Sequence, residues 1–169
     1  MYSPSRPAVF AAGALLALAV VPASSAIASG GDDAQEGGHH SLLLKSSLAG
    51  SQLGETVFGK NAGGAPWVLT EGQAKVTSDG RLQVEIDGLI IPALGRNPVA
   101  MVTVTLLCNG VIAGTTAPAP LSMAGDAEIE AKVSVPARCL APVVMVNPVN
   151  EKVPQGNTGV FIAVSGQEA

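Results

Sequence analysis

AEIEAKVSV, residues 127–135, alternates apolar side chains with charged or polar ones at every second position. Successive side chains of a β-strand point to opposite faces, so this period of two predicts a strand with one buried and one solvated face. RLQVEID, residues 81–87, repeats the pattern with Leu82, Val84 and Ile86 on the apolar side. Strands of this kind are typical of antiparallel sheets, and they predict an all-β fold.

Similar short segments continue on both sides of these two strands. Asp79-Gly80 and Asn109-Gly110 predict tight hairpin turns, because Gly and Asn accept the positive φ that such turns need. Seven strands without a convincing helix favour an immunoglobulin-like two-sheet β-sandwich, and a small β-barrel is the alternative. The predicted strands are residues 67–77, 81–91, 99–108, 111–116, 127–135, 143–147 and 159–165.

The first 28 residues, MYSPSRPAVFAAGALLALAVVPASSAIA, predict a secretory signal peptide. Arg6 gives the positive start, residues 8–21 are apolar, and Ala26 and Ala28 are the small residues before the expected cleavage point after Ala28. The apolar run is shorter than the ~20 residues of a membrane span. We therefore expect a secreted, extracellular protein with no membrane span in the mature chain.

Removal of the signal peptide leaves residues 29–169, enough for one domain with its own core. Residues 29–38 combine glycine with acidic side chains and are expected to be disordered. Leu42 to Leu48 allow either a short helical turn or a first strand, and the pattern does not decide between them. We assign residues 29–64 to a flexible leader and residues 65–169 to the β domain.

Both cysteines, Cys108 and Cys139, lie in the mature chain. In an exported protein an even number of cysteines indicates disulfide bonding, and two cysteines allow a single pairing. A redox or metal-binding thiol pair is disfavoured because the close C-x-x-C spacing is absent. The sequence therefore predicts a Cys108–Cys139 disulfide.

Composition excludes several classes of partner. Without Arg6 the chain has eight Lys and Arg against thirteen Asp and Glu, a net charge of −5. Nucleic acids and anionic membranes are therefore not expected partners, since both require clustered positive charge. Only Phe58, Trp67 and Phe161 are aromatic in the mature chain, which predicts an aliphatic core with Trp67 buried in it and disfavours a carbohydrate platform.

No motif in the chain specifies a reaction. Nucleophilic catalysis needs a positioned base, and His39-His40 lie in the predicted leader. Glu128 and Glu130 are spaced to share the solvated face of a strand, as on an ordinary polar surface. Asp32-Asp33 and the histidines would form only a flexible, unselective metal cluster. We predict a protein that is not an enzyme, with no catalytic residue, cofactor or metal site.

Four segments carry a resemblance: PWVLTEG (66–72), SDGRLQVEIDGLIIP (78–92), GDAEIEAKVSVPARCLAPVVMVNP (125–148) and GVFIAVSG (159–166). Together they resemble a group of uncharacterised secreted proteins of high-GC actinobacteria. The similarity covers residues 57–166 and is most specific around Cys139. It implies export, a cysteine pair and a β domain of unknown function, and it assigns no catalytic residue.

Three hypotheses about function follow. The first is a non-catalytic extracellular or cell-envelope module that binds a protein or wall component through a sheet face or its loops. The second is a secreted inhibitor of an extracellular hydrolase that presents an exposed loop at residues 117–122 or 147–156. An enzyme is the third and the least supported, because no concave polar site is evident in the sequence.

Overall fold

A computed structural model describes residues 40–149 and 159–167. The predicted signal peptide, its cleavage point and residues 29–39 of the predicted leader lie outside the described residues. Apart from one 3₁₀ turn at Pro92–Leu94, the elements in the described ranges are strands. They are β1 (Leu42–Gly50), β2 (Thr56–Val57), β3 (Lys60–Ala62), β4 (Glu71–Thr77), β5 (Arg81–Asp87), β6 (Met101–Cys108), β7 (Val111–Thr115), β8 (Ala119–Pro120), β9 (Ala127–Lys132), β10 (Val143–Pro148), β11 (Val160–Phe161) and β12 (Ala163–Ser165).

Nine of these strands form one curled, antiparallel sheet. Its order is β7-β6-β10-β12-β1-β4-β5-β9, and β8 pairs with the start of β6. Strand β1 joins the two halves, because residues 42–47 pair with β4 and residues 48–50 pair with β12. The sheet curls into a half-barrel with its apolar side inward. The all-β fold predicted from the alternating strands is confirmed.

The core lies inside the curl and is built from the alternation seen in the sequence. Leu82, Val84 and Ile86 of β5 are buried, while the residues between them are exposed. They belong to one apolar cluster with Val104 of β6 and Val144 of β10, from the other half of the sheet. Trp67 is only 3% exposed and lies in the same cluster, as predicted.

A smaller sheet of β2, β3 and β11 accompanies a second apolar cluster. Leu107 of β6, Met145 of β10 and Phe161 of β11 are buried in it. Val57 of β2 packs against the same cluster. The small sheet thus brings the β2–β3 hairpin to β6 and β10.

The flexible leader predicted for residues 29–64 is wrong for residues 42–62. This range contains β1, β2 and β3, and β1 lies inside the large sheet between β4 and β12. Of the two conformations left open for Leu42 to Leu48, the strand is correct. The sequence signal was weak because β1 changes partner midway, so its exposed and buried positions do not alternate cleanly.

Both predicted Gly turns are present. Asn109 and Gly110 have φ values of 58° and 78°, as the hairpin between β6 and β7 requires. The β4–β5 turn has three residues and ends on Gly80, whose φ is 88°. The Gly80 N–H donates a hydrogen bond of 2.9 Å to the Thr77 carbonyl oxygen.

Candidate interaction site at the disulfide tip

The two cysteines are bonded, as predicted. Cys108 ends β6, and Cys139 lies in the segment that leads into β10, with their Cα atoms 4.8 Å apart. Strands β6 and β10 are neighbours in the sheet, so the bridge fixes the approach to one strand against the end of the other. Both cysteines are disulfide-bonded, and neither is available as a thiol.

Asn109 extends this link with three hydrogen bonds. Its N–H donates to the Leu140 carbonyl oxygen at 2.9 Å, and its Oδ1 accepts from the Leu140 N–H at 2.8 Å. Its Nδ2 donates to the Arg138 carbonyl oxygen at 3.2 Å. The segment around Cys139 is therefore held to the hairpin turn on both sides of the disulfide.

Phe58 forms the turn of the β2–β3 hairpin together with Gly59. Their φ values are 47° and 72°, and two successive positive φ values are the requirement of a type I′ turn. A bulky residue rarely adopts this conformation, and Asn or Asp is the usual choice there. A Cβ placed on Gly110 would lie 3.1 Å from Phe58 Cδ1, so the ring rests against the neighbouring hairpin turn.

Backbone strain is concentrated at this end of the molecule. Among the described residues, the non-glycine residues with positive φ are Phe58, Asn109 and Ala141. Phe58 contacts the Asn109-Gly110 turn, and Ala141 follows Leu140, which is bonded to the same turn. Asn accepts this conformation readily, whereas at Phe58 and Ala141 it costs about 1–3 kcal/mol each. Such strain clusters where binding or catalysis requires a fixed conformation.

Exposed apolar side chains occupy the same end. Val111 is 69% exposed, Leu140 is 54% exposed and Phe58 is 48% exposed. We call the group formed by Phe58, residues 109–111 and residues 139–141 the disulfide tip. Its chemistry suits the burial of apolar surface against a partner rather than proton transfer or metal binding.

The sequence contained one signal for this site that was missed. Phe58-Gly59 stands between Thr56-Val57 and Lys60, which is a two-residue turn between short strands. The assignment of this stretch to the leader hid the hairpin. The sequence therefore predicted the disulfide and the Asn109-Gly110 turn of the tip, but not the part played by Phe58.

Comparisons of this chain with protein-family models, curated proteins and solved structures find no match.

Of the residues considered for a metal cluster, the described part of the chain contains His40. The His40 Nδ1 lies 3.5 Å from Asp79 Oδ2, and His39 and Asp32-Asp33 lie outside the described residues. Within residues 40–149 and 159–167, no three His, Cys, Asp or Glu side chains are grouped as metal ligands. In the same ranges no helix combines the length and hydropathy needed to cross a membrane.

A groove of about 680 Å³ runs beside β1, β2 and β12. Two of its polar side chains are used by the fold. Glu55 Oε2 accepts a hydrogen bond of 2.8 Å from the Gln52 N–H. Gln52 Nε2 donates to the Trp67 carbonyl oxygen at 3.1 Å. The residues that line this groove include no nucleophile next to a base.

The loop at residues 117–122, suggested for an inhibitor, pairs in part with β6. Ala119–Pro120 form β8, which pairs with Met101 and Val102 of β6. Leu121 is buried, and its N–H donates to the Ala100 carbonyl oxygen. Ala117, Pro118, Pro120 and Ser122 remain exposed, so the inhibitor hypothesis for this loop stays a prediction. Most of the other suggested loop, residues 147–156, lies outside the described residues.

The solvated side of β1, β4, β5 and β9 forms a second surface. We call it the polar face, and it comprises the exposed alternate positions within residues 45–47, 71–75, 81–87 and 128–132. Glu128 and Glu130 are exposed there, as the spacing predicts. Glu130 accepts a hydrogen bond of 2.9 Å from Gln83 Nε2, whereas Glu128 lies directly opposite Glu85.

Glu85→Lys is expected to raise the free energy of unfolding by about 0.5 kcal/mol, because it turns a like-charge cross-strand pair into an ion pair with Glu128. Urea unfolding at low salt measures the change, which should shrink in 1 M salt. The control is Glu85→Lys with Glu128→Lys, which restores a like-charge pair and should lose the gain. A gain of equal size in the double variant would contradict the pairwise explanation.

Asp79 has three partners at the β4–β5 turn. Its Oδ1 accepts a hydrogen bond from Thr77 Oγ1, and its Oδ2 lies 3.1 Å from Arg81 Nε and near His40. The Thr77 hydrogen bond, together with the positive charges of His40 and Arg81, holds the pKa of Asp79 below its ordinary value. A lowered pKa means that the carboxylate stabilises the fold at and above about pH 4, and that this contribution is lost as the pH falls through the lowered pKa.

Asp79→Asn is therefore expected to weaken the dependence of stability on pH below about pH 4. Denaturant midpoints measured from about pH 2 to pH 7 test this expectation. Thr77→Val keeps the carboxylate and removes its hydrogen bond, so an intermediate slope is expected. If stability falls with pH in the same way below about pH 4 in Asp79→Asn and in the wild type, the Asp79 carboxylate contributes nothing to the pH dependence of stability.

Proposed function

We propose that this protein is an exported, non-catalytic module that binds another protein of the cell envelope or extracellular space. The disulfide tip is its binding surface, and the partner offers an apolar pocket or groove that receives the tip. The observation that carries the proposal is the exposure of Phe58, Val111 and Leu140 on a strained, disulfide-bonded tip.

The rigidity of the tip supports binding. Association costs less when the contact residues are already held in the bound conformation, because less conformational entropy is lost. The disulfide and the hydrogen bonds of Asn109 hold the segment of Leu140 and the turn that precedes Val111. Aromatic and aliphatic anchors at the centre of a contact commonly provide most of its binding energy.

Export is supported by two features. The first 28 residues have the pattern of a signal peptide with cleavage after Ala28. The Cys108–Cys139 disulfide is a bond that persists in oxidising compartments outside the cytoplasm.

We also propose that the half-barrel is an immunoglobulin-like sandwich. Its apolar core lies between two groups of strands, β4-β5-β9 and β6-β10. The alternative is a small barrel, and the strand β1 that runs on from one group to the other is compatible with both folds.

Affinity capture with matched variants tests this function. The immobilised wild-type chain is expected to retain a protein from the producing cell's envelope or medium that Val111→Asp/Leu140→Asp does not retain. Leu94→Asp/Met123→Asp is the control, because these residues are similarly exposed, at 52% and 66%, but lie outside the disulfide tip, in the 3₁₀ turn and in the loop after β8. Equal retention by all three proteins, or no retained protein, would overturn the proposal.

Phe58→Asn is expected to abolish capture while the fold is kept. Asn at this position gives Asn-Gly, the sequence that best fits a type I′ turn, but it removes the aromatic ring. Phe58→Ala removes the same ring and keeps the unfavourable φ, so it should be about 0.5–1 kcal/mol less stable than Phe58→Asn. Urea unfolding ranks the stabilities, and full capture by Phe58→Asn would exclude the ring as an anchor.

A further inference from the structure

Charges on the polar face are segregated. An acidic side chain opposite a basic one on the neighbouring strand would form an ion pair. At four cross-strand positions the register instead places like charges directly opposite each other. Two acidic pairs lie toward one end and two basic pairs toward the other: Glu71–Asp87 and Glu85–Glu128, then Lys45–Lys75 and Arg81–Lys132. Glu130 is the exception, because it lies at the basic end opposite Gln83.

These pairs weaken the isolated sheet. Like charges directly opposite in neighbouring strands are destabilising. Among the described residues, the ion pairs use Asp79 as the acid, and no carboxylate of the polar face lies within 4 Å of a cationic nitrogen. Arg81 lies 3.1 Å from Asp79, and the other charges of these four pairs are not offset by ion pairs in the described part of the chain.

We propose that the polar face is a self-association surface on which a second copy of this chain packs in the opposite sense. A two-fold axis in the plane of the contact places the acidic end of each copy over the basic end of the other. Such an isologous contact satisfies both ends at once, since each copy supplies the charges that the other needs. A partner of one charge sign would attract one end and repel the other.

The dimensions of the face indicate a weak dimer. Four strands about 4.8 Å apart and about seven residues long give a face of roughly 19 Å by 23 Å, at the small end for protein contacts. Its attraction is mainly electrostatic, so salt should weaken it. This inference is independent of the binding function proposed above, because the polar face shares no residue with the disulfide tip.

Charge reversal at matched pairs tests the contact. Lys45→Glu/Lys75→Glu makes the face acidic throughout most of its length, and Glu85→Lys/Glu128→Lys makes it mainly basic. Each variant keeps a like-charge pair directly across neighbouring strands, so it creates no new ion pair at that cross-strand position. Sedimentation equilibrium of the purified chains at about 50 mM and about 500 mM salt measures association.

We expect the wild type to dimerise weakly at the lower salt and each variant to be monomeric. An equal mixture of the two variants should form a heterodimer at least about tenfold more tightly than either variant associates with itself. The variant with all four reversals should self-associate like the wild type and should not pair with it. Circular dichroism establishes that all chains are folded.

A monomeric wild type at low salt and millimolar concentration would overturn the proposal. Association that is unaffected by either reversal, or a mixture no tighter than its components, would also overturn it. Capture assays at the disulfide tip do not enter this test, so the two proposals can fail separately.

Discussion

Gly80→Ala is expected to lower the free energy of unfolding by about 3–5 kcal/mol. Gly80 has a φ of 88°, and an added Cβ would lie 2.0 Å from the Val133 carbonyl oxygen. The Gly80 carbonyl oxygen also accepts a hydrogen bond of 2.8 Å from the Val133 N–H. The substitution would therefore push the chain after β9 away from the β4–β5 turn, in addition to straining the turn itself.

Gly54→Ala separates these two causes. Gly54 has a similar φ of 82°, but an added Cβ there meets no atom within 4 Å. We expect a loss of only about 1 kcal/mol, the cost of the left-handed conformation alone. Urea unfolding of both variants measures the difference, and equal losses would show that the contact with Val133 is unimportant.

Reduction of the disulfide is expected to lower the free energy of unfolding by about 3–4 kcal/mol. The bridge joins residues 31 positions apart, so the reduced unfolded chain gains the conformational freedom of that loop. The folded chain should react with a thiol reagent only after reduction. Denaturant unfolding with and without reductant gives the stability change.

Cys108→Ala/Cys139→Ala is the control for reduction. It should show a similar loss and no further response to reductant. Because Asn109 and Leu140 flank the bridge, reduction should also weaken capture at the disulfide tip under conditions where circular dichroism shows an intact sheet. Unchanged capture by the reduced, folded chain would mean that the bridge does not preorganise the tip.

The candidate site was only partly predictable from the sequence. Cys108, Cys139 and the Asn109-Gly110 turn were found because each follows a local rule of pairing or backbone conformation. The Phe58-Gly59 turn was missed because its stretch was assigned to the leader, and its contact with Gly110, about fifty residues along the chain, follows no local rule. The like-charge pairs of the polar face were also missed, since strand register determines which residues lie opposite each other.

The last predicted strand, residues 159–165, is two short strands, β11 and β12, which belong to different sheets. The sequence alone determined the all-β class, the six central strand segments that became β4, β5, β6, β7, β9 and β10, the turn at Asn109-Gly110 and the cysteine pairing. Each of these depends on side-chain alternation, on the φ preference of a few residues or on there being only two cysteines. The tertiary structure alone decided that β1 enters the sheet, that the sheet curls, and that Phe58, Val111 and Leu140 come to one end. Those features depend on which distant segments pair and pack against each other. A local sequence pattern shows that a segment forms a strand, but it does not show which other strand pairs with it.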